Sequence, residues 1–187
     1  MELIHADRIA PTAWKNGGGS TRTLLALPAG DDWQLRISMA DVARDGPFSP
    51  YPGVERWLAL VDGQGMALEF EHQAVTLRPG DPPLLFDGAA APHGRLLDGA
   101  TRDLNLMHRG GQAAMRQALP GAPWRARQRC CGLFALAAGR WSCADGRQAA
   151  LPAHTLLWLA MAPQAYMVFD QPGLWLEFSP PVSSGNS

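Results

Sequence analysis

The stretch DGPFSPYPGVER, Asp45 to Arg56, places three prolines and two glycines within twelve residues. No helix interior and no central strand accommodates that density, because proline fixes its own φ and has no N–H to give to a ladder. It reads as a shaped loop. The residues on either side alternate. In WQLRISMA, Trp33, Leu35, Ile37 and Met39 form one apolar face and Gln34, Arg36 and Ser38 the other, while RWLALVDG runs from Arg56 to a turn at Asp62-Gly63. Strand, rigid loop, strand and turn therefore follow one another. At the mouth of a β-barrel such a loop holds Phe48, Ser49, Tyr51 and Arg56 at little ordering cost, since proline has already removed backbone freedom, and this suits the lining of a small-molecule pocket.

The same rhythm runs through the chain. Its 187 residues include 20 glycines and 16 prolines, which punctuate short apolar runs and predict an all-β protein rich in turns. That length allows one large domain or two small ones. RGGQAAMRQALPGAP, Arg109 to Pro123, breaks the pattern: Gln112 to Leu119 is able to form a short helix, but Gly-Gly before it and Pro-Gly after it make it a connector. The expected layout is an N-terminal unit over 1–108, a connector over 109–123, a C-terminal scaffold over 124–180 and a flexible tail over 181–187. In that scaffold CCGLFALAAG, TLLWLAMA, AYMVF and LWLEFS are apolar on both faces, and Glu177 is the one charged residue inside the last strand.

Composition removes several classes of function. A net charge of -1 with basic residues scattered singly gives no stripe that would track a phosphate backbone, so no nucleic acid is expected. MELIHADRIAPTAW lacks a basic segment followed by an apolar one, and Leu156 to Phe169 is broken by Pro163 and Gln164, so neither a signal peptide nor a membrane span is expected. The expected compartment is the cytoplasm, where Cys130, Cys131 and Cys143 would stay buried, reduced thiols. His5, His72, His93, His108 and His154 are isolated, without HxH or HxxxH spacing, which predicts no metal and no cofactor. There is no GxSxG, and the Cys130-Cys131 pair lies in an apolar run that disfavours a thiolate. In WKNGGGSTR the three glycines allow an anion-binding concavity, but on spacing alone a flexible turn is the plainer reading.

What remains is a set of arginines and carboxylates with amides and hydroxyls: Arg22, Arg36, Arg56, Arg102, Asp45, Asp87, Asp103, Asn105, Ser38 and Ser49. TRDLNLM, from Thr101, alternates Arg102, Leu104 and Leu106 against Asp103, Asn105 and Met107. Buried there, Asp103 and Asn105 call for partners, which Arg22, Arg36 or Arg56 can supply. Arginine's planar fork also takes a ligand carboxylate, so the residues alone leave mutual pairing and a ligand site equally open.

Four ordered blocks, WKNGGGSTR, WQLRISMADVARDGPFSPYPGVER, LLFDG and TRDLNLM, resemble the motifs of the HutD/Ves family of bacterial proteins. The resemblance covers Trp14 to about Met107. It implies a bicupin, two small double-stranded β-helix (RmlC-like cupin) barrels packed together, in which the first motif of metal-binding cupins is replaced by the proline-rich loop. It also implies an association with histidine utilisation, where binding of an intermediate such as N-formylglutamate has been suggested, or with stress response. The reading that follows is a non-enzymatic, metal-free protein binding a small acidic metabolite. Arg36 and Arg56 would clamp a carboxylate, Trp14 and Phe48 would form an apolar wall, and Lys15, Asn16, Gly18, Arg22, Ser38, Ser49, Asp103 and Asn105 would complete the site. Two alternatives are a cofactor-free isomerase, epimerase or hydrolase with Asp103 or Asp45 as general base, and an interaction module using an exposed strand edge, which a homodimer through the apolar C-terminal half would resemble in sequence.

Overall fold

The structure is a computed structural model that describes residues 1–160 and 165–181. Its strands are β1 (Glu2–His5), β2 (Thr12–Ala13), β3 (Gly19–Leu27), β4 (Leu35–Val42), β5 (Gly46–Pro47), β6 (Glu55–Asp62), β7 (Met66–Glu69), β8 (Ala74–Leu77), β9 (Leu84–Asp87), β10 (His93–Leu96), β11 (Thr101–His108), β12 (Gln112–Ala118), β13 (Trp124–Arg125), β14 (Cys130–Ala135), β15 (Gly139–Cys143), β16 (Gln148–Leu151), β17 (Thr155–Ala160), β18 (Tyr166–Phe169) and β19 (Gly173–Ser179). Among the described residues the only helical turns are short 3-10 pieces at Ala6–Arg8 and Gly88–Ala90. The all-β class follows from the alternation, as expected.

The chain divides into two compact units, one of His5–Met107 and one of Met1–Ile4 with the chain from His108 onwards. In the first, a six-stranded sheet β2-β3-β4-β11-β6-β9 accompanies a four-stranded sheet β5-β10-β7-β8. Leu58 and Leu60 of β6 pack with Phe48 against Met66, Leu68 and Leu77 of the smaller sheet, so the face of β6 that carries Arg56 is the inner one. In the second unit the sheets are β1-β17-β14-β19-β12 and β13-β18-β15-β16. Leu133, Leu157 and Trp175 from one meet Trp141, Leu151 and Phe169 from the other.

The structure corrects the sequence reading at several places. Gln112 to Ala118 is a strand, paired with β19 over its full length from Gln112↔Ser179 to Ala118↔Gly173. Helix propensity in QAAMRQA is a weak preference, and a ladder with a strand sixty residues on overrides it. Only Arg109, Gly110 and Gly111 separate β11 from β12, where a longer connector was expected, and the two glycines take φ +62° and +67°, which residues with a Cβ rarely adopt. Met1–Ile4 does not belong with the residues that follow it, since β1 forms the edge beside β17. The break at Pro163 and Gln164 and the tail from Val182 lie outside the described residues.

The proline-rich loop is fixed by its backbone. Phe48 N–H donates to Pro92 O at 2.9 Å, Tyr51 N–H to Gly88 O at 2.8 Å and Gly88 N–H to Val54 O at 2.7 Å. This is why LLFDG ends in glycine: a Cβ at position 88 would lie 2.7 Å from Tyr51 O and 2.8 Å from Val54 O. Gly88→Ala forces these backbones apart and is expected to cost about 2 kcal/mol of stability. An unchanged urea midpoint in that variant would show that the close approach does not hold the loop.

Candidate functional site

A pocket of about 470 Å³ lies on the inner face of the six-stranded sheet, a size suited to a small metabolite. Its wall takes Thr12 and Ala13 from β2, Thr21 and Thr23 from β3, Arg36, Ser38 and Ala40 from β4, Arg56 from β6, and Asn105 and Met107 from β11. The β2–β3 hairpin adds Trp14, Lys15 and Asn16, and the proline-rich loop adds Pro47, Phe48, Ser49 and Tyr51. Along β4 the alternation is now assigned: Leu35, Ile37 and Met39 are fully buried on one face, and Arg36 and Ser38 project into the pocket from the other. Lys15, Arg36 and Arg56 give the wall three cations, and it carries no carboxylate.

Arg56 is the buried cation, with 7% of its surface exposed. Its guanidinium carbon lies 4.7 Å from the Phe48 ring centroid and 5.5 Å from that of Phe86, so aromatic faces supply part of the stabilisation that water would give. Nε donates to Asn105 Oδ1 at 2.8 Å, and Asn105 Nδ2 donates in turn to Asp103 Oδ1. Burial lowers the pKa of Arg56, the Asp103 charge raises it, and the nearby Arg36 lowers it further. Asp103 is wholly buried, and burial pushes its carboxyl up to about 6 against the opposing pull of Arg56 and the Asn105 hydrogen bond. Desolvation is the larger effect and outweighs the neighbouring arginine.

Arg36 is tethered more loosely, with Nη2 donating to Thr23 Oγ1 at 3.0 Å. Trp14 is pinned by its indole N–H, which donates to Thr21 Oγ1 at 2.8 Å. The glycine run serves packing rather than ligand capture. Gly18 N–H donates to Asn16 Oδ1 at 2.9 Å, and Gly18 O accepts from Ala43 N–H at 2.8 Å and Arg44 N–H at 3.2 Å. A Cβ on Gly19 would sit 2.2 Å from Asp41 O and 3.1 Å from the Trp14 ring. The triple glycine thus lets the hairpin lie against the end of β4 and seats Trp14 in the wall.

Of the residues singled out from sequence, Trp14, Lys15, Asn16, Arg36, Ser38, Phe48, Ser49, Arg56 and Asn105 line the pocket, whereas Gly18, Arg22 and Asp103 do not. Arg22 faces away and pairs with Asp41, which also accepts from Arg102 Nε at 2.7 Å. Asp103 stands behind Asn105. Asp45 is committed to Leu96 N–H at 2.8 Å, and Asp87 to Ala89 N–H at 2.8 Å, so both shape backbone. Thr21 and Thr23, which were not among the residues singled out from sequence, also line the wall. The β3–β4 register, Thr21↔Ala40 and Thr23↔Ser38, is what sets them beside Ser38 and Arg36. A register shift between Thr23 and Leu25 then turns both Leu24 and Leu25 into buried positions, which strict alternation did not anticipate. Among the described residues no group of three or more His, Cys, Asp or Glu side chains is placed to hold a metal ion, and no helix is long and apolar enough to cross a membrane.

Residues 6–175 match the model of the HutD family. Over 111 residues the chain is 33% identical to Protein Ves of Citrobacter koseri, a match covering 58% of each protein. Over 115 residues it is 33% identical to an uncharacterized 21.2 kDa protein in the hutC 3′ region of Pseudomonas putida, again 58% of each. The chain therefore spans less than two thirds of the length of these curated relatives. Among solved structures, a conserved protein of unknown function from Pseudomonas aeruginosa PAO1 superposes with a TM-score of 0.85 at 27% identity, over 95% of this chain and 98% of that one. HutD from Pseudomonas fluorescens SBW25, in a formate condition, gives 0.83 at 23% identity over 95% and 97%. A cupin conserved-barrel protein from Leptotrichia buccalis, at 0.53 and 13% identity over 95% and 96%, shares the fold alone.

Asp41 ties β3 and β11 to β4 through Arg22 and Arg102, beneath the pocket wall. Burial raises its carboxyl, but hydrogen bonds from the two arginines and their charges outweigh that and hold it below its usual value. The folded state therefore binds the carboxylate form more tightly than the unfolded state does, and this stabilisation is present above pH 4 and fades as the pH falls through the lowered pKa. Asp41→Asn is expected to cost about 1 kcal/mol at pH 7, discounted for its partial exposure, and less at pH 3. Denaturant midpoints at the two pH values check this; an equal loss at both would show that charge is not what Asp41 contributes.

Proposed function

The chain belongs to the HutD family, and from that premise we propose that its His5–Met107 unit is a metal-free binding module for a small acidic metabolite. The observation that carries this reading is the charge of the wall: Lys15, Arg36 and Arg56 face one pocket without a carboxylate among its lining residues. Arg36 depresses the pKa of Arg56, so the cations repel each other across the pocket, and an anion between them relieves that repulsion. Nε of Arg56 is taken by Asn105, and no protein group among the described residues takes its terminal nitrogens, which suits them to a carboxylate. Ser38, Ser49, Thr23 and Asn105 then orient polar atoms, with Trp14 and Phe48 as the apolar wall. The hutC 3′ location of the Pseudomonas putida relative supports a ligand from histidine utilisation, with N-formylglutamate the first to try.

A catalytic reading rests on one observation. A carboxyl raised to about 6 suits a general base near neutrality, and Asp103 has that value. Asp103, however, is not on the wall, so binding is the reading preferred. The deciding experiment is thermal unfolding at fixed ionic strength with N-formylglutamate, glutamate, urocanate and formate, followed by assay of any binder for turnover. A ligand at one hundred times its Kd adds about 2.7 kcal/mol of stability. One acid is expected to raise Tm selectively, with the shift lost in Arg36→Ala and Arg56→Ala. A panel without effect, or a shift that survives both substitutions, overturns the clamp, and turnover abolished by Asp103→Asn makes the protein an enzyme.

A further inference from the structure

We infer that Asp103 is a positioning residue for the anion site, fixing through Asn105 the orientation of Arg56 and compensating its charge from outside the pocket. This rests on the carboxylate-binding reading above. The geometry is directional. Asn105 presents a carbonyl on one side of its amide and an NH2 on the other, and an ionised carboxylate only accepts. Asp103 Oδ1 takes the NH2, so the carbonyl faces Arg56 Nε at 2.8 Å; with the amide reversed, donor would face donor. Phe48 and Phe86 hold the guanidinium while Asn105 holds Nε, so the terminal nitrogens are left for a ligand.

The same chain couples the site to a proton. Asp103 is completely buried, yet Oδ2 has no hydrogen-bond partner and Oδ1 has the single donor from Asn105. An ionised carboxylate supplied with one hydrogen bond is poorly compensated in a dry interior. The charged groups acting on it are Arg56 from β6 and Asp41 from β4, with Asp41 already held by Arg22 and Arg102; Arg36 from β4 acts on Arg56 in turn. Burial brings its titration to about 6. Ionised, Asp103 neutralises Arg56 and repels an entering anion. Protonated, it leaves the Arg56 charge to the ligand, so a carboxylate binds more tightly as pH falls towards 5.5 and its binding takes up a proton.

Two measurements test this. Without ligand, carbon-detected NMR follows the Asp103 carboxyl and the Arg56 Nε–H from pH 4 to 8, and a common midpoint near 6 is expected. With N-formylglutamate as probe, calorimetry at pH 6.5 in buffers of different ionisation enthalpy is expected to show uptake of about half a proton per ligand in the wild type. In Asp103→Asn, which keeps an acceptor for Asn105 without the charge, uptake is expected to vanish and affinity at pH 8 to rise several-fold over wild type. Asp103→Leu, which removes the acceptor, is expected to lose affinity at every pH. An Arg56 signal that ignores the Asp103 titration, an Asp103 midpoint near 4, or the same pH profile in wild type and Asp103→Asn overturns the inference. If no carboxylate binds, the proposed function fails, and the ligand-free titration of wild-type protein still decides the role of Asp103.

Discussion

A guanidinium with 7% of its surface in water has to find its hydrogen bonds and counter-charge inside the protein, and the arrangement around Arg56 is organised by that need. Asn105 and Asp103, polar residues that alternate with the buried Leu104 and Leu106 in β11, are that compensation. Their spacing of two residues is required because both must reach the same face as Arg56 on the neighbouring strand. Removing either partner leaves a buried charge exposed to a dry interior, which costs far more than the pair itself contributes.

The loop depends on the same constraint from the other side. Phe48 covers Arg56 because its N–H is held by Pro92 O and because Gly94 makes room, where a Cβ would stand 2.7 Å from the Phe48 ring. Gly88 in turn lets the following segment lie against Tyr51 and Val54. The prolines keep the loop from collapsing into the pocket or fraying away from it. Backbone contacts at two glycines are thus transmitted, through one aromatic ring, to the cation in the pocket wall.

The second unit shows what a buried acid looks like when it has no such role. Glu177 is almost fully buried, and its Oε1 accepts from the backbone N–H groups of Arg127 at 2.5 Å and Gln128 at 3.2 Å, a local use that fixes the segment entering β14. Burial pushes the Cys131 thiol up to about 12, which keeps it protonated and unreactive, while Cys130 and Cys143 are half-buried rather than enclosed. The core of this unit is filled by Trp141, Phe169 and Trp175.

Period-two alternation and the placement of proline and glycine were enough, from sequence, to give an all-β chain, a rigid loop carrying Phe48 and Arg56, and a strand face shared by Asp103, Asn105 and Met107. Each is a property of a few consecutive residues, because the pleat of a strand and the φ of proline are local. Local pattern left open whether Arg36 faced a pocket or water, and whether Arg22 served a ligand or Asp41. It read Gln112 to Leu119 as part of a connector able to form a short helix, and it placed Asp103 on the pocket wall rather than behind Asn105. Those were decided by register and by which face a distant strand covers: Thr23↔Ser38 across β3 and β4, and Gln112↔Ser179 across sixty-seven residues of chain. A strand's two faces are equivalent until another layer buries one of them, so only tertiary packing could turn a list of arginines into one buried cation, one tethered cation and one structural ion pair.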